Sequence, residues 1–426
     1  MSGQLLKTLK LTNFLSFGPD SEEVQLTPLN VLIGPNASGK SNFIEAIELL
    51  HATPTDFSDP IRIGGTAAEW LWKGAVPPKP AELNARLGAT TSIPELRYRL
   101  AFTEANNRVA LVDEVLEETT PRRPGEDDVF FYYRYQHGHP VMNVRQVVKD
   151  EEALRDYVQR KLQRESLNPE QSVLSQRKDP DLYPELTRVA GEFGRIQIFR
   201  EWGFGRSAGL RQPQPANLPS DTLLPTIVNL GLVLNDLEHR DSWPRFLDYM
   251  QRFLPRFSRL TTKIQGGAVQ IYLWEDGLKT PVPATRLADG TIRFLALLAV
   301  LLNPEAVPLL CIEEPELGLH PDALAIIAEL LVEASGQTQV VVTTHSDVLV
   351  SALTEETDSV LVTEYVGGGT ELGRPDFDGG QEFFAQPGYV GGGTEFRRLD
   401  SVKLKHWLEK YRLGEIWRMG KLGGNL

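Results

Sequence analysis

The chain has a single cysteine, Cys311, among its 426 residues, so an intramolecular disulfide is impossible and a reducing compartment is expected. Cys311 lies in the apolar run PLLCIEE and is expected to be a small core residue. A long hydrophobic run is also missing, because the strongly apolar stretch that starts at Phe294 stops at Asn303, too short to span a bilayer. The N-terminal residues do not form a signal peptide, since lysine and asparagine interrupt their apolar positions. These absences predict a soluble, cytoplasmic protein without a membrane partner.

An excess of positive charge is lacking as well. The 57 acidic and 44 basic residues give a formal net charge of −13. This balance excludes a global electrostatic attraction to nucleic acid, so any contact with DNA requires a local basic surface. Residues 396–426 are the candidate for such a surface, because eight lysine and arginine residues stand there against three acidic ones. A solvated helix face is the alternative interpretation of the same residues.

The composition and length allow a large folded core. With 41% hydrophobic and 24% charged residues, the chain is an ordinary globular protein, long enough for two or three domains. Two strands are predicted within residues 4–33, and a helix in SNFIEAIELLHA, which follows them. Helices and short apolar strands alternate again in the last third, which predicts an α/β sheet with parallel strands.

The middle of the chain is predicted to form an inserted lobe. Residues 81–135 are rich in strand patterns, residues 150–165 and 221–256 have helical patterns, and the Pro-rich stretch from Arg200 to Pro219 is expected to be an ordered connection. The segment YVGGGTE occurs at Tyr365 and again at Tyr389, which we interpret as a tandem duplication that adds a flexible glycine-rich loop. The predicted domains are an N-terminal lobe (1–135), an inserted mainly helical lobe (136–260), a C-terminal lobe (261–365), and the duplicated loop with a basic helical tail (366–426).

The segment GPNASGKS, Gly34 to Ser41, matches the phosphate-binding pattern G-x-x-x-x-G-K-[ST]. The glycines allow successive backbone N–H groups to curve around phosphates, Lys40 can reach the β- and γ-phosphate oxygens, and the Ser41 hydroxyl can bind Mg²⁺. A buried strand precedes the loop and a helix follows it, as this function requires. The pattern therefore predicts ATP and Mg²⁺ as cofactors.

Two later strands end in polar residues of the kind that a nucleotide site uses. The strand in LLCIEEPELGLHP ends at Glu313 and Glu314, which could divide labour between orienting a Mg²⁺ ion and polarising an attacking water. The strand in VVVTTHS ends at His345, which could donate a hydrogen bond to a γ-phosphate or to that water. A polar strand end and a structural loop histidine are the alternatives.

The segment LADG opens directly into an apolar helix. It could be a tight turn before a core helix, but the first turn of such a helix also offers free backbone N–H groups and a partial positive charge to an anion.

In this order the motifs resemble the ATPase heads of the ABC superfamily, in particular its RecF/SMC/OLD-like branch and the AAA family ATPases of the AAA_21 type. The resemblance implies an α/β P-loop NTPase fold of the ABC-ATPase type, with a mixed sheet core flanked by helices and an inserted β-rich and helical lobe. It also implies a homodimer in the ATP state, because the signature loop of such a head caps the ATP bound by a second subunit. A TOPRIM nuclease domain is not expected, since no D-x-D stands at a strand end after His345.

The resemblance assigns roles residue by residue. It implies catalytic roles for Glu314, which follows Walker B, and for His345, the switch histidine. Metal binding is implied for Ser41 and Glu313, and LGLHP (317–321) falls at the D-loop. The implied nucleotide-binding residues are Gly34, Pro35, Asn36, Ala37, Ser38, Gly39, Lys40, Ser41 and Asn42 in the Walker A loop, with Ala288, Asp289 and Gly290 in the signature motif.

Three departures from the family pattern are visible. Ala288 replaces the usual signature serine and removes a hydroxyl donor. Glu313 replaces the usual Walker B aspartate. No Q-loop glutamine is identified, although residues 70–73 lie at the expected place after the first helix. Slow hydrolysis is therefore expected.

Three functions remain open at this point. The first is a Mg-ATP-dependent, dimerising ATPase in DNA repair or maintenance, as the RecF-like resemblance implies. The second is a regulatory ATPase that controls a separately encoded effector, such as a phage-defence nuclease. The third is a nucleotide-gated scaffold with weak turnover.

Overall fold

A computed structural model describes residues 4–123, 125, 128–136, 139–145, 157–162, 167–200, 202–205, 209–303, 305, 307–367 and 392–423. The strands are β1 (Leu6–Thr12), β2 (Val24–Gln25), β3 (Leu29–Ile33), β4 (Ala81–Leu87), β5 (Leu96–Ala105), β6 (Arg108–Glu118), β7 (Phe131–Gln136), β8 (His139–Arg145), β9 (Tyr157–Lys161), β10 (Gln197–Phe199), β11 (Gln214–Pro215), β12 (Phe257–Gln265), β13 (Ala268–Glu275), β14 (Val282–Pro283), β15 (Leu309–Glu313), β16 (Gln339–Thr343), β17 (Val360–Val366) and β18 (Gly393–Arg398). The helices are α1 (Lys40–Ala52), α2 (Ser58–Ile63), α3 (Val173–Gln176), α4 (Pro184–Gly194), α5 (Leu230–Leu237), α6 (Trp243–Phe253), α7 (Asp289–Leu301), α8 (Pro321–Ser335), α9 (Asp347–Ala352), α10 (Ser401–Leu408) and α11 (Leu413–Arg418).

The chain forms two compact units, each built from separate stretches of sequence. The first unit comprises Met1–Ile196, Ser359–Leu399 and Gly420–Leu426, and the second comprises Gln197–Asp358 and Asp400–Met419. Among the described residues, no helix combines the length and the apolar character that a membrane crossing needs.

The first unit contains a large antiparallel sheet and a smaller group of strands. Eight strands are ordered β2-β1-β4-β5-β6-β7-β8-β9, and each neighbouring pair is antiparallel. In β4 buried and more exposed side chains alternate, as expected for a strand with one face on the core. Separately, β17 lies parallel to β3 and antiparallel to β18. All five residues of β3 are buried, and α1 begins seven residues after this strand, at Lys40.

The second unit contains three parallel strands, β10, β15 and β16, with β15 in the middle. The helix α7 precedes β15, and α8 connects β15 to β16. Residues 292–301 of α7 are all buried, so this part of the helix lies inside the core and no side of it faces solvent. A second, antiparallel sheet in this unit has the order β11-β13-β12, and β14 pairs with β13.

Most of the predicted elements are confirmed, and two interpretations are wrong in part. The helix predicted over residues 150–165 is wrong for Tyr157–Lys161, which is the strand β9, while residues 150–156 and 163–165 lie outside the described residues. The helical segment 221–256 contains two helices, α5 and α6. Cys311 is fully buried in β15, as predicted.

The repeated segment YVGGGTE is not entirely a loop. Tyr365 and Val366 of the first copy end β17, and Gly393 to Glu395 of the second copy begin β18. These strand ends are directly paired, with Val366 opposite Gly393 and Tyr365 opposite Thr394. The predicted glycine-rich loop between them, residues 368–391, lies outside the described residues.

Candidate functional site

The loop Gly34–Ser41 connects the buried strand β3 to α1 and needs glycine at two positions. Gly34 and Gly39 have φ angles of +149° and +102°, in the region that side chains disfavour. A Cβ atom on Gly34 would lie 2.2 Å from the carbonyl oxygen of Thr363, and one on Gly39 would lie 2.2 Å from Oγ1 of Thr394. The loop can therefore hold this tight curve only with glycine at both places.

Lys40 places its charge inside this curve. The residue is 6% exposed, and its Nζ donates hydrogen bonds to the carbonyl oxygens of Gly34 at 2.8 Å and Pro35 at 2.9 Å. A buried ammonium group surrounded by loop backbone is suited to neutralise a bound anion. Asn36, Ala37 and Ser41 are exposed, whereas Ser38 is buried, so the loop offers both a surface and an interior to a ligand.

Ser16 and Thr394, which sequence reasoning missed, form hydrogen bonds next to this loop. Oγ of Ser16 accepts hydrogen bonds from Nδ2 of Asn42 at 2.8 Å and from Oγ1 of Thr394 at 2.7 Å. Thr394 belongs to the second copy of YVGGGTE, for which the sequence predicts only a glycine-rich loop. No sequence signal joins Ser16 to Thr394, because they are far apart in the chain.

Glu313, at the end of β15, has one paired and one unpaired carboxylate oxygen. Oε2 accepts a hydrogen bond from Nε of Arg200 at 3.2 Å. Oε1 is buried and has no hydrogen-bond partner within the part of the chain that the structure describes. An orphaned carboxylate oxygen fits a Mg²⁺ ligand, because this ion usually takes one or two protein oxygens and keeps several waters. Among the described residues, no group of three or more His, Cys, Asp or Glu side chains is placed to hold a metal ion.

Glu314 and His345 face each other at the ends of β15 and β16. Oε1 of Glu314 lies 3.8 Å from Nε2 of His345, and both side chains are about one-third exposed. The amide of Glu314 donates to the carbonyl oxygen of Thr343 at 3.0 Å, and its φ angle is +45°. The carboxylate and the imidazole can therefore act together on a solvent molecule at this edge of the sheet.

Glu316 is a third acid at this edge that sequence reasoning did not assign. Its Oε1 accepts hydrogen bonds from Oγ1 of Thr344 at 2.7 Å and from the amide of His345 at 2.8 Å. Burial raises the pKa of Glu316, while these two hydrogen bonds lower it. The repeated acids of EEPE were the available signal, and Glu316 holds the backbone of the predicted switch histidine in place.

The predicted signature residues begin α7. Ala288 is the N-cap residue and is exposed, and Asp289 is exposed as well. A Cβ atom on Gly290 would lie 2.9 Å from the carbonyl oxygen of Gly318, which belongs to the predicted D-loop segment. The start of α7 and this segment therefore touch within one unit, and only glycine allows the approach.

Arg211, another residue that sequence reasoning missed, clamps the signature loop. It is buried and donates to the carbonyl oxygens of Phe204 at 3.0 Å, Ala284 at 3.2 Å and Leu287 at 2.7 Å. It also forms an ion pair with Asp289. The Pro-rich stretch from Arg200 to Pro219 is therefore more than a connection, because it contributes Arg200 and Arg211 to the surroundings of the predicted Walker B and signature residues.

Gly34 to Asn42 form one loop and the start of α1 in the first unit. Within the second unit Glu313, Glu314 and His345 are brought together at the ends of β15 and β16, while the signature residues start α7.

The fold and these motifs define a P-loop NTPase of the α/β class. The chain belongs to the AAA_21 family, described as "AAA domain, putative AbiEii toxin, Type IV TA system", whose model matches residues 29–351. A comparison with curated proteins found no significant match.

Solved structures support the same fold. One is a Smc head bound to the C-winged helix domain of ScpA, with 13% identity and a TM-score of 0.54, covering 93% of this chain and 99% of that one. Another is a Smc head domain with an extended coiled coil, bound to the C-terminal domain of ScpA derived from Pyrococcus furiosus, with 12% identity, a TM-score of 0.50, and coverage of 95% and 99%. At these identities the likeness concerns the fold alone, and it confirms the predicted α/β P-loop NTPase class.

Proposed function

We propose that the protein binds Mg-ATP and hydrolyses it, with Glu314 as the general base and His345 as its partner. The observation that carries the proposal is the approach of these two side chains at 3.8 Å. The preceding residue in the chain, Glu313, has a buried oxygen without a hydrogen-bond partner within the described residues. When bound, Mg²⁺ would supply charge compensation at the phosphates, with Glu313 and Ser41 as its protein ligands. Lys40 would neutralise the β- and γ-phosphates.

We further propose that two chains dimerise around two ATP molecules. Exposed Ala288 and Asp289 leave the start of α7 accessible, and its first backbone N–H groups suit the γ-phosphate held by a partner's Walker A loop. Arg211 supports this role because it fixes the loop without covering it. Walker A and signature residues would then complete each site from opposite chains.

Phosphate release and light scattering test both steps. We expect slow release by the wild-type protein, an ATP-dependent doubling of mass, and loss of ATP binding in Lys40→Ala. Lys279→Ala, which changes an exposed lysine, is the matched control. An ATP affinity of Lys40→Ala within about threefold of wild type, measured by calorimetry, would contradict the Walker A assignment, since a lost charge contact is worth roughly tenfold or more.

DNA repair or maintenance is the proposed setting of this ATPase. The supporting observation is a basic surface on α10, α11 and the residues between them, which we call the α10–α11 surface. Its exposed cations are Lys403, Lys405, Lys410, Arg412 and Arg418, and its exposed acid is Glu409. Asp400, the N-cap residue of α10, is a second exposed acid next to this surface. Arg418 is partly neutralised by Asp347 at 2.9 Å.

Control of a separately encoded effector is a second candidate function. The description of the matched family, which mentions a toxin of a toxin–antitoxin system, favours it. Stable co-purification with the product of a neighbouring gene would support this function. ATP-dependent dimers without phosphate release would instead support a nucleotide-gated scaffold.

A further inference from the structure

Arg293 is a buried arginine in the second turn of α7, the helix that starts at the predicted signature. It is 7% exposed. Its guanidinium carbon lies 5.6 Å from the ring centre of Trp202 and 5.3 Å from that of Phe204, and these two rings are stacked on each other. The aromatic pair therefore holds the guanidinium group in a fixed place by cation–π contact.

The guanidinium group reaches the backbone of Glu314. Nη2 of Arg293 donates to the carbonyl oxygen of Glu314 at 3.1 Å, and this oxygen also accepts from the amide of Leu317 at 3.2 Å. On the other side, the Glu314 amide donates to Thr343. The N–H group and the carbonyl group of Glu314 are thus both held by hydrogen bonds to other residues.

This restraint acts on a residue with an unusual backbone. The φ angle of Glu314 is +45°, in the left-handed region that residues with long side chains rarely adopt. Such a conformation persists only when surrounding contacts hold it, and it sets the direction in which the carboxylate leaves the chain toward His345.

Packing alone does not account for an arginine at this position. Its Nε is buried and has no hydrogen-bond partner among the residues that the structure describes. Burial lowers the pKa of Arg293, and the nearby Glu316 and Glu314 carboxylates raise it. An apolar side chain would avoid this cost of a buried charge. The arginine therefore provides a hydrogen-bond donor to Glu314 that an apolar residue such as methionine could not provide.

We propose that Arg293 is a positioning residue that holds Glu314 in the conformation required for hydrolysis and links it to the signature helix. The proposal rests on the proposed ATPase function. Because α7 carries both the exposed signature residues and Arg293, a contact of its first turn with a partner's nucleotide would be transmitted to the Glu314 backbone. ATP binding by the Walker A loop does not involve this contact.

The test compares Arg293→Met and Arg293→Lys with the control Arg259→Met. Arg259 is an exposed arginine of the same unit, stacked at 4.2 Å on Trp274. For Arg293→Met we expect turnover to fall at least tenfold, with the ATP dissociation constant and KM within threefold of wild type, and Arg293→Lys to recover part of the loss. In the Glu314→Gln background, Arg293→Met should cause no further loss, because the group that it positions is already absent.

A structural measurement keeps this proposal separate from the proposed function. Hydrogen exchange at the Glu314 and Leu317 amides of the nucleotide-free protein should accelerate at least tenfold in Arg293→Met and stay unchanged in Arg259→Met. If the wild-type protein has no ATPase activity, the proposed function fails, but the exchange rates still decide whether Arg293 holds Glu314. Unchanged exchange, or a parallel loss of ATP affinity and turnover, overturns the positioning role.

Discussion

Oε1 of Glu314 lies 3.8 Å from Nε2 of His345, and the two side chains come from the ends of neighbouring parallel strands. This separation is slightly longer than a hydrogen bond, and a general base often tightens its contacts only when substrate is bound. Two further residues hold the backbone of this pair. Glu316 accepts a hydrogen bond from the amide of His345, and Arg293 donates one to the carbonyl oxygen of Glu314.

Glu314→Gln should keep Mg-ATP and lose hydrolysis by roughly 10²- to 10⁴-fold, the usual contribution of a general base. The amide has nearly the same shape but cannot accept the proton of water. The ATP-bound dimer should then accumulate, because the proposed sandwich would open only after γ-phosphate cleavage. Phosphate release and light scattering measure the two effects. Glu355→Gln, at an exposed position, is the control. If Glu314→Gln hydrolyses ATP at the wild-type rate, Glu314 is not the general base.

Ala288→Ser should stabilise the start of α7 and strengthen ATP-dependent dimerisation. The N-cap angles of Ala288, φ −65° and ψ 150°, nearly equal those of Ser172, φ −61° and ψ 149°, whose hydroxyl does cap its helix. A new cap is worth about 1 kcal/mol. The hydroxyl would also supply the donor that the resemblance to ABC ATPase heads implies at this position. Denaturant unfolding and ATP-dependent light scattering measure these two gains.

Ala288→Arg is the matched opposite change, and it is preferable to a substitution of Gly290. Any Cβ on Gly290 would collide with Gly318 within the same chain, whereas Ala288 is exposed. Combined with Glu314→Gln, Ala288→Arg should leave ATP binding intact but prevent dimer closure. If this double variant dimerises as readily as Glu314→Gln alone, LADG is only a turn before a core helix.

DNA binding, if the α10–α11 surface supports it, should require ATP and depend steeply on salt. Lys403→Glu with Lys405→Glu should weaken binding and reduce the salt slope by about two or more, because each lost phosphate contact lowers that slope by roughly one. Lys263→Glu with Lys279→Glu alters two exposed lysines of the same unit and is the control of equal charge. Fluorescence anisotropy with a non-hydrolysable ATP analogue measures the effect. Absence of binding even at low salt removes the direct DNA role.

Glu114 should make the stability of the first unit fall as pH rises from about 4.5 to about 7. Burial raises the pKa of Glu114 from 4.5 to about 7, although Tyr98, Ser172 and the Val173 amide donate to its carboxylate. The folded state therefore binds the proton more tightly than the unfolded state, and this stabilisation is complete below pH 4.5 and lost through pH 7. The difference amounts to about 3 kcal/mol at most.

Thermal unfolding of the wild-type protein and of Glu114→Gln between pH 5 and 8 measures this loss. The neutral variant retains an acceptor for Tyr98 and Ser172 but does not titrate. Its melting temperature relative to wild type should therefore rise with pH. Parallel pH profiles of the two proteins would mean that Glu114 does not titrate in this range.

The elements around the motifs were predictable because continuous apolar runs mark buried strands. In β3 every residue is buried, and in β15 only the last residue, Glu313, is not, so composition and burial agree. In contrast, β9 has the sequence YVQRK with four exposed residues out of five, and among the described strands it pairs with β8 alone. Such an edge strand has no buried face to impose an apolar alternation, and its long polar residues favour a helix prediction.

The predicted site differs from the observed one in its supporting residues. Lys40, Glu313, Glu314 and His345 lie within recognisable local patterns, so a sequence can indicate them. Arg200, Arg211, Ser16 and Thr394 act through contacts with residues far away in the chain, and no local pattern specifies such contacts. Tertiary structure alone therefore assigns them.

The pairing of β17 with β18 places the start of the first copy of YVGGGTE opposite the end of the second copy. Val366 and Gly393 face each other across the two strands, and the period of YVGGGTE is the distance from Tyr365 to Tyr389. Removal of one period, residues 367–390, would join Val366 to Gly391-Gly392-Gly393. The paired residues would then be linked by a two-residue Gly-Gly turn, one of the favoured β-hairpin connections. In a chain shortened in this way, Thr394 would keep both its place opposite Tyr365 and its approach to Gly39.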